Sequence, residues 1–399
     1  MKPLKLLSLL PLLFCLVLAL TACSSTSDGS GNPPPVTPAT DFVYVANTGG
    51  APSTVSAFSA DRTTGALTEI AGSPYDVGAS SSAIAADPAG TFLFVANYSS
   101  GDISVLSINA STGELTPVNG SPFACEFGVD AIAVDPTGRY LFAVTSLTAG
   151  LWTYSISSTG TLTPHQGSPY NQGFGNGLDN TSVAVSPDGN YVYVTNSQPG
   201  TFPYINAGIY EFYFDSTSGD STPATPFSRN VYGMENAVAF EPTGNFLLVT
   251  GKNVPGVWGG LTVFSVDASS GVLTQVPPDN LFSAFVGHEP AAVITDHFGK
   301  FVYIPNTVGS TISAFTLDST GLVTEISGSP FPSGGIGPIN GPTGIATDAS
   351  GNFLYVCNAS NDISVFRINQ TSGALTPVFG SPFPESGSGP HRIVFVHRP

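Results

Sequence analysis

The sequence predicts an all-β fold, a seven-bladed β-propeller of four-stranded blades in which the first blade is closed by the C-terminal strand. Three observations predict it. The first is composition: 45 Gly and 34 Pro among 399 residues, with 41% hydrophobic, 11% aromatic and only 9% charged, suit many short strands joined by tight turns and argue against helical bundles. The second is a repeat with a period of about 50 residues, which starts at Asp41 and runs to the C-terminus. The third is a mismatch in counting. The second strand of the repeat occurs seven times, whereas the first strand has six full copies and an apolar tail, His391-Arg392-Ile393-Val394-Phe395-Val396, is left over. A ring resolves the mismatch, because the tail can supply the missing innermost strand of the first blade and leave no sheet edge open.

Taken in chain order, the N-terminus reads as targeting and tether rather than fold. Lys2 and Lys5 precede an apolar run, Leu6 to Leu20, that is too short to span a bilayer comfortably, and Leu20-Thr21-Ala22-Cys23 closes it. This run resembles a bacterial lipobox. The resemblance implies a signal peptide over 1–22, lipid attachment at Cys23, and a place in the bacterial cell envelope facing the periplasm or exterior. A plain secretory signal is the alternative. Residues 23–40, rich in Ser, Gly, Pro and Thr, read as a disordered tether to a propeller over 41–399. The formal charge of −17 opposes any grip on nucleic acid or anionic lipid, so membrane contact is expected through the lipid anchor only. Cys125 and Cys357 remain in the propeller, and unpaired thiols are preferred over a disulfide.

One repeat shows the elements of each blade. Ala83 to Ala86 is a strand, Asp87-Pro88-Ala89-Gly90 a tight turn, and Phe92 to Asn97 and Ile103 to Ile108 are the next two strands. Thr112-Gly113 then turns the chain into a fourth strand at Leu115. The Pro-x-Gly turn recurs at Asp135, Ser186 and Glu241, with degenerate copies at Asp296 and Asp348. Strand runs are nearly continuous in apolar residues, as expected where neighbouring blades cover both faces, and Trp152 and the Phe residues read as inter-blade packing. Asn47, Asn97, Asn196, Asn306 and Asn358 close second strands, and their side-chain amides are expected to cap loop backbone.

The repeat in residues 353–377, Phe-Leu-Tyr-Val-x-Asn, Asp-Ile-Ser-Val-Phe-x-Ile and Thr-Ser-Gly-Ala-Leu-Thr-Pro, resembles that of the lactonase-type seven-bladed propellers, the family of 6-phosphogluconolactonase and carboxymuconate cyclase. Tyr193-Val194-Thr195-Asn196 is similar to the repeat of the wider group of Tyr-Val-Thr-Asn surface propellers. The resemblance covers 41 to 397. It implies opening of a sugar lactone by activated water, with Arg, His and Glu side chains at the mouth of the central channel. The family's Gly-Pro-Arg-His start to an inner strand has its match in Gly389-Pro390-His391-Arg392, with the last two in reversed order. Gly233-Met234-Glu235-Asn236 and Gly341-Pro342-Thr343 depart from it, and Gly251-Lys252 stands where the family has Asn-Glu.

Aligning the inner strands puts Ser82, Asp130, Thr181, Asn236, Ala291, Thr343 and His391 in one ring, with Ser81, Asn180, Glu235, Pro290 and Pro390 beside them. His391, Arg392, Glu235 and Asp130 are the candidate catalytic residues, as base, acid or orienting groups at the channel mouth. Candidate ligand-binding residues are Asn180, Asn236, His288 and Glu289, together with Phe202, Tyr204 and Trp258 on longer loops, where aromatic faces suit a sugar or peptide. Solvated residues lining a wet channel would give the same polar ring. His and Cys spacings show no metal signature and the Gly-rich segments lack a phosphate-loop context, so neither metal nor cofactor is expected. Two functions stay open. The preferred one is an envelope propeller, monomeric, that binds a glycan, peptide or envelope protein on its loop-rich face; the other is a hydrolase of a neutral sugar lactone.

Overall fold

The computed structural model describes residues 40–147, 150–170, 179–197, 208–224, 229–230, 234–252, 259–276, 282–335 and 341–398. Residues 1–39, which hold the expected signal peptide, Cys23 and all but the last residue of the expected tether, lie outside the described residues, as do Phe202, Tyr204 and Trp258. Among the described residues there are seven antiparallel sheets, and in six of them the four main strands follow one another in chain order from the inner edge outward. The second blade shows the pattern, with strands Ser81–Ala86, Phe92–Asn97, Asp102–Ile108 and Leu115–Pro117. In six of the sheets a further short strand, such as Phe123–Ala124, pairs with the third strand beyond the end of the fourth.

The first blade is closed as its sequence predicts. Pro390–Val396 pairs antiparallel with Thr40–Asn47, which pairs with Thr54–Asp61, and Leu67–Glu69 forms the outer edge. A buried carboxylate fastens this closure. Asp41 accepts from Arg62 Nη2 at 2.7 Å and Nε at 3.0 Å, from the Arg398 backbone N–H at 2.8 Å, and lies 3.0 Å from His397 Nδ1. Charge-assisted bonds of this kind are about twice as strong as neutral ones, so the blade's first and last strands in chain order are held by one side chain.

Packing between blades rests on a contact made seven times. The turn glycine before each fourth strand lies against the aromatic ring that opens the second strand of the preceding blade. Gly113 lies on Phe42, Gly160 on Phe92, Gly219 on Tyr140, Gly271 on Tyr191, Gly321 on Phe246, Gly373 on Phe301, and Gly65 on Phe353, which joins the last blade to the first. At every one of these positions a Cβ would sit under 3.0 Å from the ring, and every one of these glycines has positive φ. Tyrosines two residues further along the same strands add a polar link. The hydroxyls of Tyr44, Tyr193 and Tyr303 donate to the carbonyls of Gly113, Gly271 and Gly373 at 2.9, 2.6 and 2.8 Å. Trp152 is packed among the side chains shared by the second and third blades, stacked on Tyr154, in agreement with its expected structural role.

The asparagines that end the second strands act differently from expectation. Asn47, Asn97, Asn306 and Asn358 are fully buried, and their Nδ2 atoms donate to Ser56, Ser104, Ser313 and Ser364 on the third strand of the same blade, not to loop backbone. The incoming loop explains this. Gly78, Gly287 and Gly387 press their backbone onto the amides of Asn97, Asn306 and Asn47, which removes solvent and leaves the third-strand hydroxyl as the available acceptor. Asn196 differs from the other four in that its Oδ1 accepts a backbone N–H, that of Gly208 at the start of the third strand, at 3.1 Å. Cys125 and Cys357 are free thiols.

Two stability predictions follow from this packing. Gly373→Ala should destabilise the protein by about 3 kcal/mol, since it combines a left-handed backbone with a ring clash. Gly120→Ala has the same backbone strain but meets its nearest ring atom only at 3.5 Å, so denaturant unfolding should show a loss of only about 1 kcal/mol. The second concerns Glu385, buried where the last blade meets the first. Burial pushes its carboxyl up to about 7, against donors on Ser56 and Asn47, and the Glu69 and Asp362 carboxylates add to the rise. A raised acid favours the folded state while protonated, so its contribution is full at low pH and is lost as pH rises from the ordinary glutamate range through 7. The melting temperature of Glu385→Gln should therefore gain on that of the wild type between pH values of about 5 and about 8.

Candidate functional site

The inner strands are irregular at one position, and that irregularity builds the site. In six of the blades the register between inner and second strand slips at the start of the inner strand, skipping Ser82, Asp130, Thr181, Asn236, Thr343 and His391. A bulge leaves its extra residue out of the ladder and re-aims the side chain. In the sixth blade the inner ladder is reduced to Ile294–Thr295 and a single bridge from Pro290 to Asn306, and Ala291 stands at the corresponding place. The ring aligned from the sequence is thus a ring of bulges.

A cavity of about 390 Å³ opens at this ring. Ser82, Asp130, Thr181, Ala291, Thr343 and His391 line it, together with Glu289, Pro290, Thr307 and Arg392. The hydroxyls tie neighbouring blades. Ser82 donates to the Val129 carbonyl at 2.6 Å, Thr343 to the Pro390 carbonyl at 2.8 Å and Thr307 to the Pro342 carbonyl at 2.9 Å. Each of these carbonyls belongs to the next blade, at the start of its inner strand. Thr307 was missed in the sequence; it follows the last residue of a second strand, and all second strands end on this face.

Arg392 is the one Lys or Arg among the described residues lining the cavity. Its Nη1 donates to the carbonyls of Thr343 at 3.0 Å and His391 at 3.1 Å, and it faces His391 Nε2 at 3.3 Å. Burial lowers the guanidinium's affinity for its proton, and the nearby Asp130 carboxylate opposes that fall. Because Arg only donates, His391 Nε2 accepts and the imidazole proton resides on Nδ1. Burial and the Arg392 charge pull the imidazole down to about 3, with the Ser82 backbone opposing, so His391 is neutral across the physiological range. The Cys357 thiol beneath this layer is pushed up to about 12 by burial and stays protonated.

The candidate catalytic residues therefore separate. His391, Arg392 and Asp130 come together at the cavity. Glu235 is paired in the backbone ladder with Gly251, and Asn180 with Asn196, while Asn236 occupies a bulge; their side chains are outside what is described. Glu289 lines the cavity, whereas His288 is not among the described lining residues. Among the described residues no group of three or more His, Cys, Asp or Glu side chains is arranged to hold a metal ion. The arrangement offers a fixed cation, two carboxylates and a ring of hydroxyls around a water-accessible mouth, which is what stabilises an oxyanion next to an activated water.

Comparison with known proteins agrees with the architecture. Residues 18–121, 109–284 and 262–388 each match the family model described as lactonase, 7-bladed β-propeller. A 6-phosphogluconolactonase of Formosa agariphila is 24% identical over 217 residues, a match that spans 50% of this chain and only 56% of that protein. A Bacteroides fragilis protein named as a candidate 6-phosphogluconolactonase superposes with a TM-score of 0.69 at 18% identity, covering 91% of this chain and 99% of its own. The periplasmic gluconolactonase of Pseudomonas aeruginosa gives a TM-score of 0.69 at 17% identity, over 90% and 99% of the two chains. These structural likenesses show the fold, and the family model matches most of the chain, from residue 18 to 388, so the chain belongs to the lactonase family of seven-bladed β-propellers.

Proposed function

We propose that the protein is a lactone hydrolase acting on a neutral sugar lactone at the mouth of its central channel. The observation that carries this reading is the cavity in which Arg392, oriented by two backbone carbonyls and His391, is set among the Asp130 and Glu289 carboxylates. Arg392 would stabilise the oxyanion formed when water adds to the lactone carbonyl, and a carboxylate would accept the water's proton. Family membership and the names of its relatives support the hydrolase over the partner-binding expectation, whose aromatic residues Phe202, Tyr204 and Trp258 lie outside the described residues. One cation against two lining carboxylates, in a chain of formal charge −17, disfavours a phosphate dianion.

The purified protein should hydrolyse glucono-δ-lactone well above the buffer rate, and the 6-phosphorylated lactone with kcat/KM lower by about tenfold or more. Arg392→Gln should lower kcat about a hundredfold, the usual loss when an oxyanion donor is removed. Absence of any rate above buffer on both lactones would end this reading.

We further infer that the protein works in the bacterial envelope, tethered through Cys23. The order of Lys2 and Lys5, the apolar run Leu6 to Leu20 and Leu20-Thr21-Ala22-Cys23 supports this. Cys23→Ala should shift the protein out of the membrane fraction or halt its processing, as read by fractionation and intact mass; unchanged behaviour would reject the anchor.

A further inference from the structure

We propose that Glu289 is the general base of the lactone-opening site, held on the channel rim at the expense of local backbone strain. The inference rests on the hydrolase reading above. It starts from a comparison of the repeats with one another. Two residues before the ring position, a positive φ is found among the described residues in four blades: Ser80 at 58°, Gly128 at 83°, Glu289 at 55° and Gly389 at 68°. Their equivalence is shown by a shared bond. Each carbonyl accepts the N–H of the residue following the second strand of its own blade, from Tyr98, Ser146, Thr307 and Thr48 at 2.8 to 3.0 Å.

A left-handed backbone suits glycine and is unfavourable for a residue with a Cβ, because the Cβ crowds the carbonyl. Two of the four blades use glycine here. Ser80 stays small, with its hydroxyl paired to Ser99 Oγ at 2.8 Å. Glu289 is the exception, a long charged side chain in a conformation its own repeats give to glycine, and it lines the cavity. Non-glycine residues in this region cluster at functional sites, where the strain is retained because the side chain is needed.

Two other titratable groups of the cavity act on Arg392. His391 presents Nε2 to Arg392 Nη1 and so lacks an open lone pair for a water proton. Asp130 lies where its charge offsets that of the buried Arg392. Glu289 is exposed at the mouth, where water reaches it. In the step assigned to it, the carboxylate takes a proton from water while the water oxygen bonds to the lactone carbonyl carbon. The resulting oxyanion faces Arg392. The bond from carbonyl carbon to ring oxygen then breaks, the Glu289 proton passes to the departing oxygen, and a hydroxy acid leaves with the carboxylate regenerated.

The repeats also supply the test. Glu289→Gly restores the residue used at Gly128 and Gly389, so it should fold with a melting temperature no lower than that of the wild type. Its kcat on glucono-δ-lactone should fall about a hundredfold or more, with KM nearly unchanged, and added sodium formate should restore part of the rate. Glu289→Gln should show the same loss without rescue. If the wild type is active and Glu289→Gly retains its rate, the assignment to Glu289 is overturned while the hydrolase reading stands. A rate lost together with melting temperature, and not rescued by formate, would make the residue structural and overturn it likewise. A wild type inactive on lactones would remove both.

Discussion

Seven times around the ring, a glycine in one blade takes the place directly above an aromatic ring in the blade before it. The remaining features of the structure depend on this close approach. A four-stranded sheet buries enough surface only when both faces are covered, and radial packing covers them by pressing each blade's outer turn onto its neighbour's second strand. No side chain fits between turn and ring, and the turn itself needs positive φ, so one residue type meets both demands. Because Gly65 meets Phe353, the contact that builds the stack also closes it, independently of the strand pairing between Pro390–Val396 and Thr40–Asn47.

Closure brings the starts of seven inner strands to one mouth, and there the regular ladder gives way. A bulge forgoes ladder hydrogen bonds and therefore needs other partners for the freed backbone groups. Ser82 and Thr343 provide them, each donating its hydroxyl to the carbonyl just before the next blade's bulge. The polar ring is thus structural and chemical at once. Its hydroxyls bind blade to blade, and where blades differ from that pattern, at Asp130 and His391 and on the rim at Glu289, the mouth gains ionisable groups.

Electrostatics then decides how those groups behave. Burial of His391 disfavours its charged form, and the Arg392 cation beside it adds to that effect. The imidazole is left neutral, with its Nε2 facing Nη1, and it serves to orient the guanidinium that faces the cavity. In a chain with 27 acidic and 10 basic residues, one oriented cation among carboxylates can polarise a neutral carbonyl but gives little hold on a dianion.

The sequence by itself determined the architecture and the membership of the ring. The period, the turn motifs and the unmatched tail His391 to Val396 are local patterns in the chain, and they were enough to number the blades, close the first one and align Ser82, Asp130, Thr181, Ala291, Thr343 and His391. What each residue does there was not legible. Asn47 and its counterparts read as turn caps, yet the covering of their amides by the neighbouring loop turned them toward third-strand serines. The strain at Glu289 became visible only beside Gly128 and Gly389, and the neutrality of His391 only once the ring had buried it, with Arg392 alongside. The physical reason is range. Strand and turn signals act over a few residues, whereas protonation, desolvation and backbone strain depend on groups brought together from distant blades, as Asp130 is brought to Arg392, and only the closed ring sets those distances.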